Sequence, residues 1–231
     1  MSRDRAIAHA ERYFDEGGFF ADLARRVAIP TESQNPDRGA ELARYLTAEM
    51  QPSFERLGFK CRVIDNPVAG ASAKGRPFLL AERIEDPARV TVLSYGHGDV
   101  IRGQEQSWRP GLDPWKLTRD GGRLYGRGTA DNKGQHSINL AAMAAAIAAR
   151  GKLGFNLKVL IETGEEVGSP GLREDDPGVG EQAAPIARMV AAFAQVHHEV
   201  HVERAARAEK DGRAVGCQAR TVGSDQHVGL Q

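Results

Sequence analysis

The chain has 231 residues, 41% of them hydrophobic, enough to bury the core of one domain or slightly more. Thirty-one basic residues balance thirty-one acidic ones, so no global field draws the chain to nucleic acid or to an anionic bilayer, and no apolar run is long enough to span a membrane. A small soluble molecule is the expected partner. Two cysteines far apart in sequence, Cys61 and Cys217, do not make a disulfide framework, and residues 1–18 contain no uninterrupted apolar segment of the kind a secretory signal needs. A reducing cytoplasm is the expected address.

From Arg3 to Val27 apolar residues recur at helical spacing (Ala6, Ala10, Tyr13, Phe14, then Phe20, Leu23, Val27), and Gly17 and Gly18 divide the run into two helices. Asp37 is placed to cap a third helix through Leu42, Leu46 and Met50, which Pro52 interrupts and Gly58 closes. The period then changes to two. Cys61 to Ile64, Pro77 to Ile84 and Val90 to Tyr95 read as strands, an Ala-rich helix is expected over 135–150, and Leu157 to Ile161 reads as a further strand. This order predicts an α/β fold with a mixed, mostly parallel sheet flanked by helices.

Three short segments carry chemistry: Gly-His-Gly-Asp at 96–99, Gly-Arg-Gly-Thr-Ala-Asp-Asn-Lys-Gly at 126–134, and Glu-Thr-Gly-Glu-Glu-Val-Gly at 162–168. The first and third follow strands, and ligands gather beyond the carboxyl ends of strands in such sheets. His97 and Asp99 read either as a metal-binding imidazole with an orienting carboxylate or as a turn with a buried histidine. Asp131 reads either as a ligand or as the N-cap of the helix after it. Adjacent carboxylates at Glu165 and Glu166 would repel one another unless a cation sits on one. On that reading Glu166 binds metal and Glu165 handles a proton; a solvated acidic loop is the plain alternative. A nucleotide site in the Gly-rich loop is excluded, because Gly126-Arg127-Gly128 lacks the third glycine of a dinucleotide fingerprint and no Walker pattern is present.

The order of these motifs resembles the co-catalytic dizinc metallopeptidase and amidohydrolase family that includes carboxypeptidase G, carnosinase-type dipeptidases, aminoacylases and succinyl-diaminopimelate desuccinylase. The resemblance runs to about Leu172; Trp108 and Asp113-Pro114-Trp115 also match a family segment. It implies a zinc-peptidase-like catalytic domain that hydrolyses peptide or N-acyl amide bonds, with two Zn2+ ions in the intact family. It implies that Asp131 bridges the metals, His97 holds one and Glu166 the other. Glu165 is then the general base, and Asp99 orients His97. Arg127 and Lys133 read as loop supports. The implied substrate is a small peptide or an N-acyl amino acid, as for a dipeptidase or deacylase.

No forward match to the family is expected past Glu174. The chain therefore divides into a partial zinc-hydrolase catalytic domain, 1–173, and an aberrant tail, 174–231. Read backwards through the opposite-strand codons, Gln231 to Ala219 and Val196 to Pro177 can be given family-like strings, which fits translation of an inverted DNA segment. Val222 then occupies the position that decodes to a missing carboxylate ligand, and the lid domain is absent, so reduced activity is expected and the family-type dimer is not. Two alternatives stay open: a non-catalytic α/β remnant, and a mononuclear metal protein using His197 and His201, which share a face at helical spacing.

Overall fold

The structure is a computed structural model that describes residues 2–66 and 76–172. The His197 and His201 pair, Val222 and Cys217 lie outside the described residues. Helices α1 (Ser2–Asp15) and α2 (Gly18–Val27) follow the predicted pattern. Gly17 joins them at φ 83, a left-handed conformation that glycine adopts without a Cβ penalty. Leu23 and Val27 of α2 bury against Leu117.

The next helical run departs from expectation at two points. Asp37 is not a cap: the side chain of Asn35 accepts the Asp37 N–H at 3.1 Å, ahead of a 3-10 turn over Pro36–Arg38. Nor does Pro52 break the run, which is α-helical over Gly39–Arg44 (α3), π-helical over Tyr45–Met50, and α-helical again over Gln51–Glu55 (α4). Proline is tolerated in the first turn of α4, where its missing N–H matters least, and the wider turn ahead of it eases the clash with the carbonyl four residues back. Tyr45, Leu46 and Met50 of the π segment are fully buried.

Strands β1 (Lys60–Ile64), β2 (Phe78–Arg83), β3 (Thr91–His97) and β6 (Asn156–Glu162) form one sheet in the order β1-β2-β6-β3. The sheet is mixed, as predicted, but not mostly parallel among the described residues: β1–β2 and β2–β6 are antiparallel, and β3–β6 is parallel. The reason is topological. A parallel partner needs a long crossover connection, usually a helix, and α5 (Lys133–Arg150) supplies one between β3 and β6. A small antiparallel hairpin that periodicity missed, β4 (Thr118–Asp120) with β5 (Arg123–Tyr125), turns through Gly121 and Gly122.

Period-two alternation decides which side chains meet which layer. Leu79 and Ala81 of β2 join Leu157, Val159 and Ile161 of β6 in a cluster with Tyr45, Leu46, Met50, Phe54 and Leu140 on the helical side. Phe78, Leu80 and Leu160 face the other side, where Ile64 and Leu172 cover them. Each fully buried leucine, isoleucine or methionine contributes about 1.5–3 kcal/mol of transfer free energy, so both faces of β2 and β6 are anchored. The C-terminal ends of the parallel pair are thereby held side by side, with His97 opposite Glu162 in register.

Candidate active site

His97 closes β3, and the chain turns at once through Gly98, whose N–H donates to the Glu162 carbonyl at 2.7 Å and whose carbonyl accepts from Thr31 Oγ1 at 2.7 Å. A side chain at 98 would run into the Tyr45 ring, 2.6 Å from a Cβ built there. The close turn puts Asp99, fully buried, beneath the imidazole. Its Oδ1 lies 3.5 Å from His97 Nδ1, which is also 3.1 Å from the Asp99 carbonyl. The two carboxylate oxygens also accept backbone N–H groups from the third motif, Oδ1 from Glu165 at 3.2 Å and Oδ2 from Glu166 at 3.1 Å. One buried carboxylate thus ties the loop after β3 to the loop after β6.

Glu165 and Glu166 lie on a 3-10 turn, Glu165–Val167. A ligand atom from each of them and one from His97 lie within 4.8 Å of one another. Glu165 is exposed and Glu166 half-buried. Burial, with the charges of Glu165 and Asp99, pushes the Glu166 carboxyl above its ordinary range. Burial works against a charged His97, but the hydrogen bond to Asp99, its charge, and Asp131 and Glu165 prevail and raise the imidazole to about 9. The local field is that of an acidic cluster short of positive charge, and a cation among these oxygens would balance it.

Asp131 reaches the same point from the Gly-rich loop, its Oδ1 2.9 Å from His97 Nε2. Its side chain is 71% exposed. It is not the cap of α5: Asn132 holds that position, with no side-chain capping bond. The Asp131–Asn132 peptide is cis. The loop folds back so sharply that a Cβ at Gly134 would sit 1.9 Å from the Thr129 carbonyl oxygen, and Gly128 adopts φ 82. The close approach accounts for Gly134 and the left-handed φ for Gly128.

Lys133 and Arg127 brace this loop. Lys133 is fully buried, donates to the Ile29 carbonyl at 2.6 Å and lies over the Tyr45 ring; burial lowers its amine to about 7. Arg127 stacks on Trp108 and donates to the Gly103 carbonyl at 3.1 Å. Trp108 Nε1 donates to that same carbonyl at 2.8 Å, and Trp115 Nε1 donates to Glu105.

The structure therefore brings all five residues singled out in the sequence to one place, with His97 in the middle. The donors are an imidazole nitrogen and carboxylate oxygens, the mixed set that zinc takes. Two buried groups with little signal in the sequence stand behind the site. Glu162 is fully buried at the end of β6, and its only signal is a carboxylate closing an apolar strand. His136 is buried on α5, with Nδ1 2.9 Å from the Tyr45 hydroxyl; burial, then the charge of Arg26, lowers it to about 3.

Comparison with known proteins places this geometry in a lineage. The family model described as Peptidase family M20/M25/M40 matches residues 93–217, a span that runs past Glu174, beyond which no forward match is expected from the sequence. The Beta-Ala-His dipeptidase of Homo sapiens is 34% identical over 177 residues, covering 74% of this chain and 34% of that protein. The Cys-Gly metallodipeptidase dug1 of Schizosaccharomyces pombe is 33% identical over 186 residues, covering 75% of this chain and 37% of that protein. Among solved structures, human carnosine dipeptidase 1 superposes with a TM-score of 0.67 at 34% identity, over 73% of this chain and 36% of that one. The M20 family metallo-carboxypeptidase Sso-CP2 from Sulfolobus solfataricus gives 0.55 at 26% identity, over 67% and 32%. The chain spans about a third of the length of the curated relatives it matches. Its motifs, its sheet and these similarities together make it a member of peptidase family M20/M25/M40.

Proposed function

We propose that this chain carries the metal-binding and proton-transfer residues of a zinc-dependent hydrolase that cleaves peptide or N-acyl amide bonds in small substrates, as a dipeptidase or deacylase does. The observation that supports it best is the meeting of His97, Glu165 and Glu166 within 4.8 Å, with Asp131 on the same imidazole. The family is one of peptidases, and relatives include a Beta-Ala-His dipeptidase and a Cys-Gly metallodipeptidase.

In this reading His97, Asp131 and Glu166 hold the metal. A bound divalent cation supplies Lewis acidity at the scissile carbonyl and brings the pKa of a water to about 7. Glu165, exposed on its turn, takes the proton of the attacking water on a carboxylate oxygen and delivers it to the leaving amine. Asp99 occupies the Nδ1 side of His97, so that Nε2 is the nitrogen turned toward Asp131. Its grip on the Glu165 and Glu166 amides holds both glutamates over the imidazole.

Two Zn2+ ions are the full complement in this reading. Among the described residues one imidazole and two carboxylates, those of His97, Asp131 and Glu166, fall short of two complete coordination sets, which usually take three or four protein ligands each. Turnover by this chain is therefore expected to be weak, without the family-type dimer and at a cytoplasmic address. The same reading divides the chain at 173/174; the nucleotide sequence tests the inverted tail, which is ruled out if the reverse complement holds no family-like frame. Function is tested by zinc analysis of the purified chain with hydrolysis of dipeptides and N-acyl amino acids. Bound zinc with turnover that disappears in Glu165→Gln supports the assignment, and a chain that takes up no metal removes it.

A further inference from the structure

Glu162 raises a question of cost. It is fully buried, close to the charges of Asp99 and His97, at a strand position whose neighbours Leu160 and Ile161 are apolar. A buried carboxyl is costly unless its oxygens are engaged. Oε1 accepts two hydroxyls, from Tyr95 on β3 and from Ser169 at 2.9 Å, while Oε2 is buried with no hydrogen-bond partner. The apolar packing of β6 through Leu160 and Ile161 does not by itself call for a carboxylate at the strand's end.

The two hydroxyls explain what the carboxyl does. Tyr95 stands two residues before His97 on the strand that ends at the site, and Ser169 stands at the far end of the loop that carries Glu165 and Glu166. That loop is closed on itself by Ser169 N–H to the Gly164 carbonyl at 2.9 Å and Gly168 N–H to the Glu165 carbonyl at 2.9 Å. Ser169 adopts φ 54, a left-handed conformation that is unfavourable for a residue with a Cβ and uncommon for serine. Its hydroxyl bond to Glu162 offsets part of that cost. Asp99 grips the middle of the loop through the amides of Glu165 and Glu166, and Glu162 grips its end.

We propose that Glu162 is a positioning residue, a buried clamp that joins β3 through Tyr95 to the end of the 163–169 loop through Ser169 and so holds Glu165 and Glu166 facing His97. The purpose assigned to the loop rests on the metallohydrolase reading; the clamp itself does not.

The experiment separates the two. Amide hydrogen exchange at residues 165, 166, 168 and 169 is measured in the metal-free chain for wild type, Ser169→Ala, Tyr95→Phe, Glu162→Leu and Glu162→Gln, alongside zinc affinity by competition with a chromophoric chelator. Loss of one hydroxyl bond is expected to speed exchange at 165 and 166 by about threefold to tenfold, and to weaken zinc binding by a similar factor. Glu162→Leu is expected to do more. Glu162→Gln keeps an oxygen for both hydroxyls and is expected to stay within about twofold of wild type, a rescue that a general loss of packing would not give. Exchange within twofold of wild type in both Ser169→Ala and Tyr95→Phe overturns the clamp. If Glu162→Leu does not fold, the two hydroxyl variants decide the matter. A wild-type chain that binds no zinc removes the functional reading, and the exchange rates still decide the clamp.

Discussion

Replacing Asp99 by asparagine tests the central joint of the site, because both carboxylate oxygens face donors. Oδ1 lies 3.2 Å from the Glu165 amide and 3.5 Å from His97 Nδ1, and Oδ2 lies 3.1 Å from the Glu166 amide. Whichever way the new amide is turned, one backbone N–H confronts an NH2 group. A hydrogen bond to a charged acceptor contributes about 1.5–3 kcal/mol, and a donor left without a partner costs about 1–3 kcal/mol. Removing a charge near Glu162 and Glu166 gives some of this back, since Asp99 raises both carboxyls. The net expectation for Asp99→Asn is a loss of about 2–4 kcal/mol in urea unfolding with an unchanged m-value. His97, held at about 9 largely by Asp99, is expected to titrate lower by NMR. Stability within about 0.5 kcal/mol of wild type, together with an unmoved His97 titration, would refute the argument.

Three further outcomes follow from the geometry. Gly134→Ala sets a Cβ 1.9 Å from the Thr129 carbonyl, so despite alanine's better helix propensity it is expected to destabilise by about 2–3 kcal/mol in chemical denaturation. His136 is lowered to about 3 in the fold against 6.5 when unfolded, so the unfolded chain takes up a proton first as the solution is acidified. The resulting stability loss sets in below pH 6.5 and reaches about 2 kcal/mol by pH 5. His97, raised rather than lowered, contributes stability that is fully present below 6.5 and therefore adds no slope there. Unfolding curves of His136→Leu should show a pH slope shallower by one proton between pH 6 and 4. His97→Ala is expected to reduce zinc affinity by more than the roughly 10–100-fold that loss of an outer partner causes, measured by chelator competition.

Much of the site was legible in the sequence because its parts follow strands. An apolar run that ends in Gly-His-Gly-Asp or Glu-Thr-Gly-Glu-Glu announces both the strand and the place where it stops, and the parallel pairing of β3 with β6 then sets the two endings side by side. Strand direction was not legible: the pattern Phe-Leu-Leu-Ala of β2 reads the same whichever way it runs, and the antiparallel pairing of β1 with β2 is set only when the strands meet. The β4–β5 hairpin was missed although Asp-Gly-Gly at 120–122 is a turn signal, because three-residue strands are too short to show a period. Glu162 was quoted within its motif but given no role, since a side chain that meets Tyr95 and Ser169 only after folding leaves no trace in local spacing.

The π segment at Tyr45–Met50 bears on how this chain tolerates change in length. A π turn is what an α-helix becomes when it accommodates an extra residue, with the flanking turns kept in phase. Deleting exposed Ala48 would let the run from 39 to 55 wind as plain α-helix while leaving the inward faces of α3 and α4 where they are. A deletion in α5 has no such slack: it would rotate everything after it by about 100° and carry Leu140 or Ala145 out of the core. Length variation among similar chains should therefore gather near residue 48 and avoid 133–150.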